Sequence, residues 1–431
     1  MGGAGVLLLG SSKLAFGTEA NSKLNVAGIG VGGQGRGDLD QIAGSGASVV
    51  AVCDVDDARA GDISKQYPQA KRYRDFRRMF DEMHKEIDAV LVATPDHTHA
   101  VAAIAAMKHG KHVYCEKPLT RTVREARLMR QVAAKTRVVT QMGNQGSAEN
   151  GLRRAVELVW QGKIGEVSEA HIWFDGGNGP LKRPTERPPV PATLDWDLWL
   201  GPAPERPYNP CYVPASWRAW RAFGSGIVGD FGCHTGNLMF RALKLHELWE
   251  PSRKASATLR VEAKPSERDE EGYPTSMIAT VDVPARGSLP PVKLTFYAKD
   301  KPSEDLLLDH PRGAWGDLLI GSKGRIYSDC PWNTRYALFP RANFEGHKSG
   351  PPETLPISVG HHREWVEACK GKGKTFSGFE IGGPLTELMQ LVNVATLVEG
   401  PFNYDPIKGR VKNSAKASAL LHRDYRKGWT I

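Results

Sequence analysis

The chain has 431 residues, 40% of them hydrophobic and 24% charged, with 46 glycines and 29 prolines. That is enough for two or three domains with full cores, and it excludes disordered, collagen-like and disulfide-stapled classes. Lysine and arginine outnumber aspartate and glutamate by 57 to 48, but no helix-turn-helix, zinc-finger or RNA-binding signature accompanies the excess, so a surface suited to small anionic ligands is expected and no nucleic-acid partner.

The longest apolar run, Val6 to Leu9, is far shorter than the ~20 residues of a spanning helix, so an integral membrane protein is not expected. Residues 1–22 stand apart. Gly2 to Phe16 is small and apolar, and Gly17 to Lys23 is a polar spacer, the pattern of the h-region and small-residue tail of an export signal. It predicts periplasmic export by a twin-arginine-type route, with a cytoplasmic protein as the alternative. Six cysteines at 53, 115, 211, 233, 330 and 369 contain no C-x-x-C pair, so free buried thiols are expected.

From Leu24 onward strands and helices alternate. Leu24 to Gly30, Val49 to Asp54, Ala89 to Thr94 and His112 to Cys115 are apolar throughout, and Val138 to Thr140 closes the series. Helices are predicted from about Arg36, over His99 to His109 and over Val123 to Thr136. Continuously apolar strands separated by helices make a parallel sheet covered on both faces, a doubly wound Rossmann domain over residues 23–147. Arg121, Arg124, Arg127 and Arg130 recur every third residue and predict a solvated stripe on the last helix.

Residues 148–431 read as an α+β domain with a large, mostly antiparallel sheet. A helix over Leu152 to Gly162 leads to a strand over Val167 to Phe174. Further strands are predicted at Ala257 to Ala263, Thr275 to Val283, Val292 to Ala298 and Gly324 to Tyr327. Helices follow at His361 to Cys369, Gly383 to Glu399 and Ala415 to His422. Between them Pro180 to Pro214 holds ten of the 29 prolines, with Trp196, Trp199, Trp217 and Trp220 in or just beyond it. This arm at 180–220 is either a rigid lid or an extension onto a neighbouring subunit.

Gly28-Ile29-Gly30-Val31-Gly32-Gly33 is a G-x-G-x-x-G between a strand and a helix, and Asp54 ends the next strand 21 residues after Gly33. Gly28 serves the tight turn, Gly30 the approach of a pyrophosphate, and Gly33 the packing of helix on strand. The Asp54 carboxylate takes ribose hydroxyls and repels a 2′-phosphate, which favours NAD over NADP.

Three more motifs follow in order: Thr94-Pro95-Asp96-His97-Thr98-His99, Glu116-Lys117-Pro118, and Asp230-Phe231-Gly232-Cys233-His234. The ordered set resembles the glucose–fructose oxidoreductase / inositol dehydrogenase / MocA (Gfo/Idh/MocA) family over roughly residues 24 to 431. Trp196 to Pro202 resembles an exported bacterial branch of it. The resemblance implies an NAD-dependent dehydrogenase acting on CH–OH groups of a sugar, polyol or cyclitol, as a homo-oligomer. It places Lys117 beside the nicotinamide, often across a cis peptide to Pro118.

The chemistry agrees with that placement. Lys117 is a compact cation able to hold a substrate hydroxyl and stabilise alkoxide charge. Asp230 and His234 are four apart and share a helical face; the imidazole can accept the hydroxyl proton while Asp230 orients it or binds substrate. Lys117, Asp230 and His234 form the expected catalytic set. Thr94, Pro95, His97, His99, Glu116, Lys117 and Asn144 are expected around the cofactor, with Gly28, Gly30, Gly33 and Asp54. No metal is expected at His97-Thr98-His99, because no cysteine or acid cluster adjoins them. Asn237 stands where the family often has a further acid, which bears on sugar regiochemistry. Two other functions compete: redox-cycling glycoside cleavage through a transient keto-sugar, and a non-enzymatic NAD or sugar sensor.

Overall fold

A computed structural model describes residues 23–250, 257–308 and 310–431. The expected export segment lies outside them. Strands β1 (Leu24–Ile29), β2 (Ala47–Cys53), β3 (Lys71–Tyr73), β4 (Ala89–Val92), β5 (His112–Glu116) and β6 (Thr140–Gly143) form one parallel sheet in the order β3-β2-β1-β4-β5-β6. All four residues of β4 are buried, as a strand covered by helices on both faces requires. The order reverses between β1 and β4, and the cleft that a doubly wound sheet keeps for its ligand opens there.

The second sheet has nine strands. These are β7 (Val167–Phe174), β8 (Leu259–Pro265), β9 (Met277–Val283), β10 (Val292–Ala298), β11 (Gly316–Gly321), β12 (Gly324–Ser328), β13 (Ala337–Phe339), β14 (Phe402–Asp405) and β15 (Arg410–Val411). Their order is β13-β12-β11-β7-β10-β9-β8-β14-β15, and all pairs are antiparallel except β7 with β10. The architecture is therefore α/β, a six-stranded parallel Rossmann sheet beside a larger, mostly antiparallel one. Strands β11, β13, β14 and β15 have no counterpart in the sequence reading. Three of them are four residues or shorter, too brief to show a period of two.

Two departures position the site. The helix His361–Cys369 belongs by sequence to the second half, yet Trp365 and Val366 pack with Val26, Leu39 and Leu91 in the core of the first sheet. The proline-rich arm folds back on its own chain. Leu194 bridges Asp56, and Asp195 donates its amide to the Val55 carbonyl at 2.9 Å, beside the end of β2. Trp199, Tyr212, Trp217, Trp220 and Phe223 bury one another in a small separate core, so Trp199 and Trp220 serve packing.

The arginine stripe is only partly solvated: Arg124 is exposed as expected, while Arg121, Arg127 and Arg130 are half-buried. Arg127 reaches Glu387 at 2.9 Å, a carboxylate with 0% exposure on the facing helix Phe379–Ala395. Spacing of three puts these side chains on one face but leaves open whether water or another helix meets it. Among the described residues no helix is long and apolar enough to cross a membrane. All six cysteines are free, with Cys53, Cys115 and Cys233 buried.

Candidate active site

The cleft at the β1/β4 reversal has a volume of about 540 Å³ and runs from the glycine loop to the second sheet's domain. Its floor is the turn after β1. Gly30 has φ +77°, and a Cβ there would stand 2.7 Å from the Ala93 carbonyl oxygen, so only glycine leaves room. Gly33 caps the helix Gln34–Gly44, which points its N-terminus into the cleft. Gly28 lies within β1 and does not line the cleft. The close contact of helix on turn belongs to Gly35, where a Cβ would run into the Gly30 carbonyl oxygen. Sequence reading assigned that role to Gly33.

Asp54 lies beside this loop. Its carboxylate accepts from the Val31 amide at 2.9 Å and the Asp56 amide at 3.0 Å. It thus ties the glycine loop to the end of β2 while facing the cleft. Burial raises its pKa, and the two amides work in the opposite direction. Glycine loop, helix N-terminus and strand-end carboxylate fit a dinucleotide with a free ribose 2′-hydroxyl.

Midway along the cleft the Lys117–Pro118 bond is cis. Lys117 Nζ donates to Asp230 Oδ1 at 2.5 Å and to the Asp230 carbonyl at 2.9 Å. Arg218 Nε lies 3.5 Å from Asp230 Oδ2. Burial pulls the Lys117 pKa down, and Asp230, Glu116 and Asp96 together more than offset it, so the side chain is held as ammonium. Glu116 accepts from the Lys117 amide at 3.1 Å and from Gln145 at 2.7 Å. Its own pKa is raised, first by burial and then by Asp38.

His234 also lines the cleft, from the helix Gly226–Thr235 that carries Asp230. Its Nδ1 is buried without a partner, which leaves Nε2 as the ring atom open to a ligand. Burial, the Lys117 ammonium and His361 hold its pKa well below the usual imidazole value. The ring is therefore neutral and able to accept a proton. Asp230 does not orient it, contrary to expectation. The Lys117 ammonium outcompetes an uncharged ring for the carboxylate.

Two expected cofactor residues, His97 and Asn144, are placed away from the cleft, and a third, His99, lines it in a structural role. His97 is 0% exposed and turns away from the cleft; its Nε2 meets the Trp199 carbonyl at 2.9 Å and its ring packs on Trp199 and Phe223. Asn144 donates to the Cys233 carbonyl at 3.1 Å and accepts from Ser377, tying β6 to the Asp230 helix. His99 touches the cleft with both nitrogens occupied, Nδ1 at the Pro118 carbonyl and Nε2 at the Thr94 carbonyl. It clamps the Thr94-Pro95 and Lys117-Pro118 turns together. Thr94 and Pro95 do line the cleft. Asn237 bonds Ser147 and Arg241 in the interior and lies outside the cleft lining.

The cleft also uses residues that sequence reading passed over. Arg218, Phe231 and Trp332 line it, with the Trp332 ring 6.0 Å from that of His234. Asp96 lines it too, at the first turn of the helix Asp96–Lys108. An acid following Thr-Pro at a helix start was the available signal. Among the described residues no group of three or more His, Cys, Asp or Glu is arranged to hold a metal ion.

A Rossmann sheet with its loop and acid at the switch point is thus joined to an α/β domain that brings Asp230 and His234 to Lys117, the architecture of a dinucleotide-binding cleft completed by a second domain. Residues 24–144 match the family described as "Oxidoreductase family, NAD-binding Rossmann fold", and residues 173–240 match its "C-terminal alpha/beta domain". These two segments match the two domains of the Gfo/Idh/MocA oxidoreductase family. It is similar to inositol 2-dehydrogenase of Salmonella typhimurium, 29% identical over 147 residues, 33% of this chain and 43% of that one. It is similar also to levoglucosan dehydrogenase of Pseudarthrobacter phenanthrenivorans, 28% identical over 176 residues, 41% of this chain and 37% of the other. These alignments span less than half of either relative. In fold, levoglucosan dehydrogenase complexed with NADH and levoglucosan superposes with TM-score 0.57 at 18% identity, covering 89% of this chain and 99% of that one. The inositol dehydrogenase homologue of Azotobacter vinelandii, complexed with NADH and myo-inositol, gives 0.56 at 17% identity, covering 89% of this chain and 97% of that one.

Proposed function

We propose that the protein transfers hydride between NAD and a secondary hydroxyl or ketone of a sugar, polyol or cyclitol. The observation that carries this reading is the pairing of Lys117 with Asp230 in the cleft that His234 also lines. Gly30, Gly32, Gly33 and Asp54 would hold the cofactor, with Thr94, Pro95 and Glu116 near its nicotinamide end. Bound there, it supplies the hydride acceptor. Lys117, with two of its three N–H bonds on Asp230, directs the third at the substrate oxygen and stabilises the charge that develops on it. His234 takes the hydroxyl proton at Nε2. Arg218 and Asp230 bind neighbouring hydroxyls, and Trp332, 44% exposed, offers a face to the C–H side of a ring.

The relatives support this substrate class, since inositol and levoglucosan are both cyclic polyols. The working unit in this reading is a homo-oligomer, and export by a twin-arginine route belongs to the same proposal. The test is the purified protein with NAD and a panel that includes myo-inositol, levoglucosan, free hexoses and glycosides. The reading expects reduced nicotinamide to accumulate with a cyclic polyol and to be lost in Lys117→Ala. Glycoside cleavage without net NAD consumption would overturn it in favour of redox cycling. Binding of NAD with no chemistry on any member of the panel would favour a sensor.

A further inference from the structure

The motif Thr94-Pro95-Asp96 delivers a third carboxyl to the reaction centre, and the proposed mechanism gives it no work. Asp96 is 3% exposed and lines the cleft with Lys117, the partner of Asp230. It hydrogen-bonds Ser225, whose hydroxyl also accepts from Gln390 Nε2 at 2.9 Å. Gln390 in turn reaches the Thr120 carbonyl at 3.0 Å, and Asn393 holds the Ser225 carbonyl at 2.8 Å. The Ser225 that holds the carboxyl is thus fixed by the buried helix Phe379–Ala395 and occupies the N-cap position of the helix Gly226–Thr235 that carries Asp230.

The charges around it do not balance when every group is ionised. Three carboxyls, Asp96, Asp230 and Glu116, act on one ammonium, and Arg218 adds a second cation at the rim. Two carboxylates beside one lysine repel each other, and the more deeply buried one is the cheaper to protonate. We propose that Asp96 is a positioning residue of this centre: it competes with Asp230 for Lys117, and its gain or loss of a proton sets the charge that Lys117 presents to the reacting oxygen. The proposal rests on the oxidoreductase reading above only for its consequence on rate.

Glu116, the other buried carboxyl acting on Lys117, has its own pKa raised, first by burial and then by Asp38, and Asp96→Asn leaves it in place. Burial first and the Asp230 carboxylate second push the Asp96 carboxyl up to about 7, while Ser225, Arg218 and Lys117 pull the other way. Cys115, Cys233 and Tyr273 also sense it, and burial raises the pKa of each, so they remain neutral. His234 cannot supply a transition near neutrality, because its pKa lies well below the usual value. The proposal assigns the near-neutral limb of the pH profile to Asp96, and a limb that survives Asp96→Asn would belong to Glu116. Protonated Asp96 leaves Lys117 with one fewer competing anion, so alkoxide stabilisation is stronger below that limb and weaker above it.

The test reads Lys117 directly and needs no substrate. Full-length protein labelled at lysine Nζ is titrated by nitrogen NMR, with Lys117 assigned from Lys117→Met. In the parent, the Lys117 resonance should show an inflection near neutral pH. Asp96→Asn, which is isosteric and permanently neutral, should remove it while NAD titration stays parental, the control for folding. In the rate arm, oxidation of whichever of myo-inositol or levoglucosan is turned over should lose its near-neutral limb in Asp96→Asn and remain at the low-pH plateau. His234→Gln should keep that limb at reduced turnover. A parent without the inflection, or an inflection or rate limb that persists in Asp96→Asn, overturns the proposal. An inflection removed by Asp96→Asn in a protein that oxidises neither compound supports the coupling and counts against the substrate reading alone.

Discussion

Asp230 closes on Lys117, 113 residues away, with Oδ1 2.5 Å from Nζ, although His234 stands one helical turn along its own helix. The carboxylate thereby joins the two domains at the reacting centre. It holds Lys117 through two contacts and leaves the neutral His234 ring without a carboxylate partner.

Lys117 and His234 are separable by substitution. Lys117→Ala removes the donor to the reacting oxygen, so turnover should fall about 10²–10³-fold with NAD affinity near parental. Lys117→Arg should not restore it, because a planar fork cannot make the two Asp230 contacts and still aim a third at substrate. His234→Ala should cost about 10²–10⁴-fold in turnover. Steady-state kinetics with NAD titrations check all three; near-parental turnover in His234→Ala would show that another group takes the proton.

Asp54 has a double role with distinguishable signatures. Asp54→Ser should weaken NAD by roughly 1.5–3 kcal/mol through the lost charge-assisted bonds to ribose and relax rejection of NADP. It also frees the Val31 and Asp56 amides, so the thermal midpoint should fall as well. Calorimetric titration with each dinucleotide and a melting curve read the two effects. Unchanged NAD affinity would show that Asp54 serves the loop alone.

Gly35 is the tightest point of the dinucleotide loop. Gly35→Ala drives a methyl into the Gly30 carbonyl, and the helix must move away from the turn. The expected loss of stability is about 1–3 kcal/mol, with weaker NAD binding, because overpacking strains a dense interior. Gly37→Ala, with no atom within 4 Å of the added carbon, is the control and should be neutral or better. Chemical denaturation of both variants decides the point.

His97 links stability to pH. Burial first and Arg423 second lower its pKa to about 3, against roughly 6.5 in an unfolded chain. Between those values the unfolded state binds the extra proton. The contribution of a neutral His97 is therefore fully present above about pH 6.5 and is lost as pH falls from there, by about 1.4 kcal/mol per pH unit. His97→Phe should reduce the acid slope of unfolding free energy by one proton across that window. Parallel urea melts from neutral to mildly acid pH measure the slope, and equal slopes would place His97 outside the linkage.

The sequence by itself determined what local chemistry controls. Apolar strands without alternation could only be buried on both faces, and glycines between strand and helix with an acid at the next strand end define a dinucleotide cradle. The order of Thr94-Pro95, Glu116-Lys117-Pro118 and Asp230 to His234 identified the family and hence the partners that meet in the cleft. Tertiary structure decided whatever depends on a partner distant in the chain. Helical spacing put Asp230 and His234 on one face but could not show that an ammonium 113 residues away would capture the carboxylate. Motif position put His97 near a cofactor, yet Trp199 of the arm and Phe223 just beyond it enclose the ring instead. A period of three aligned Arg127 with its neighbours, and only the facing helix supplied the buried Glu387. Asp96 looked like an ordinary acid at a helix start until the fold brought Asp230 and Lys117 beside it. Periodicity names the face a side chain shares, whereas its charge state follows from what the fold packs against that face.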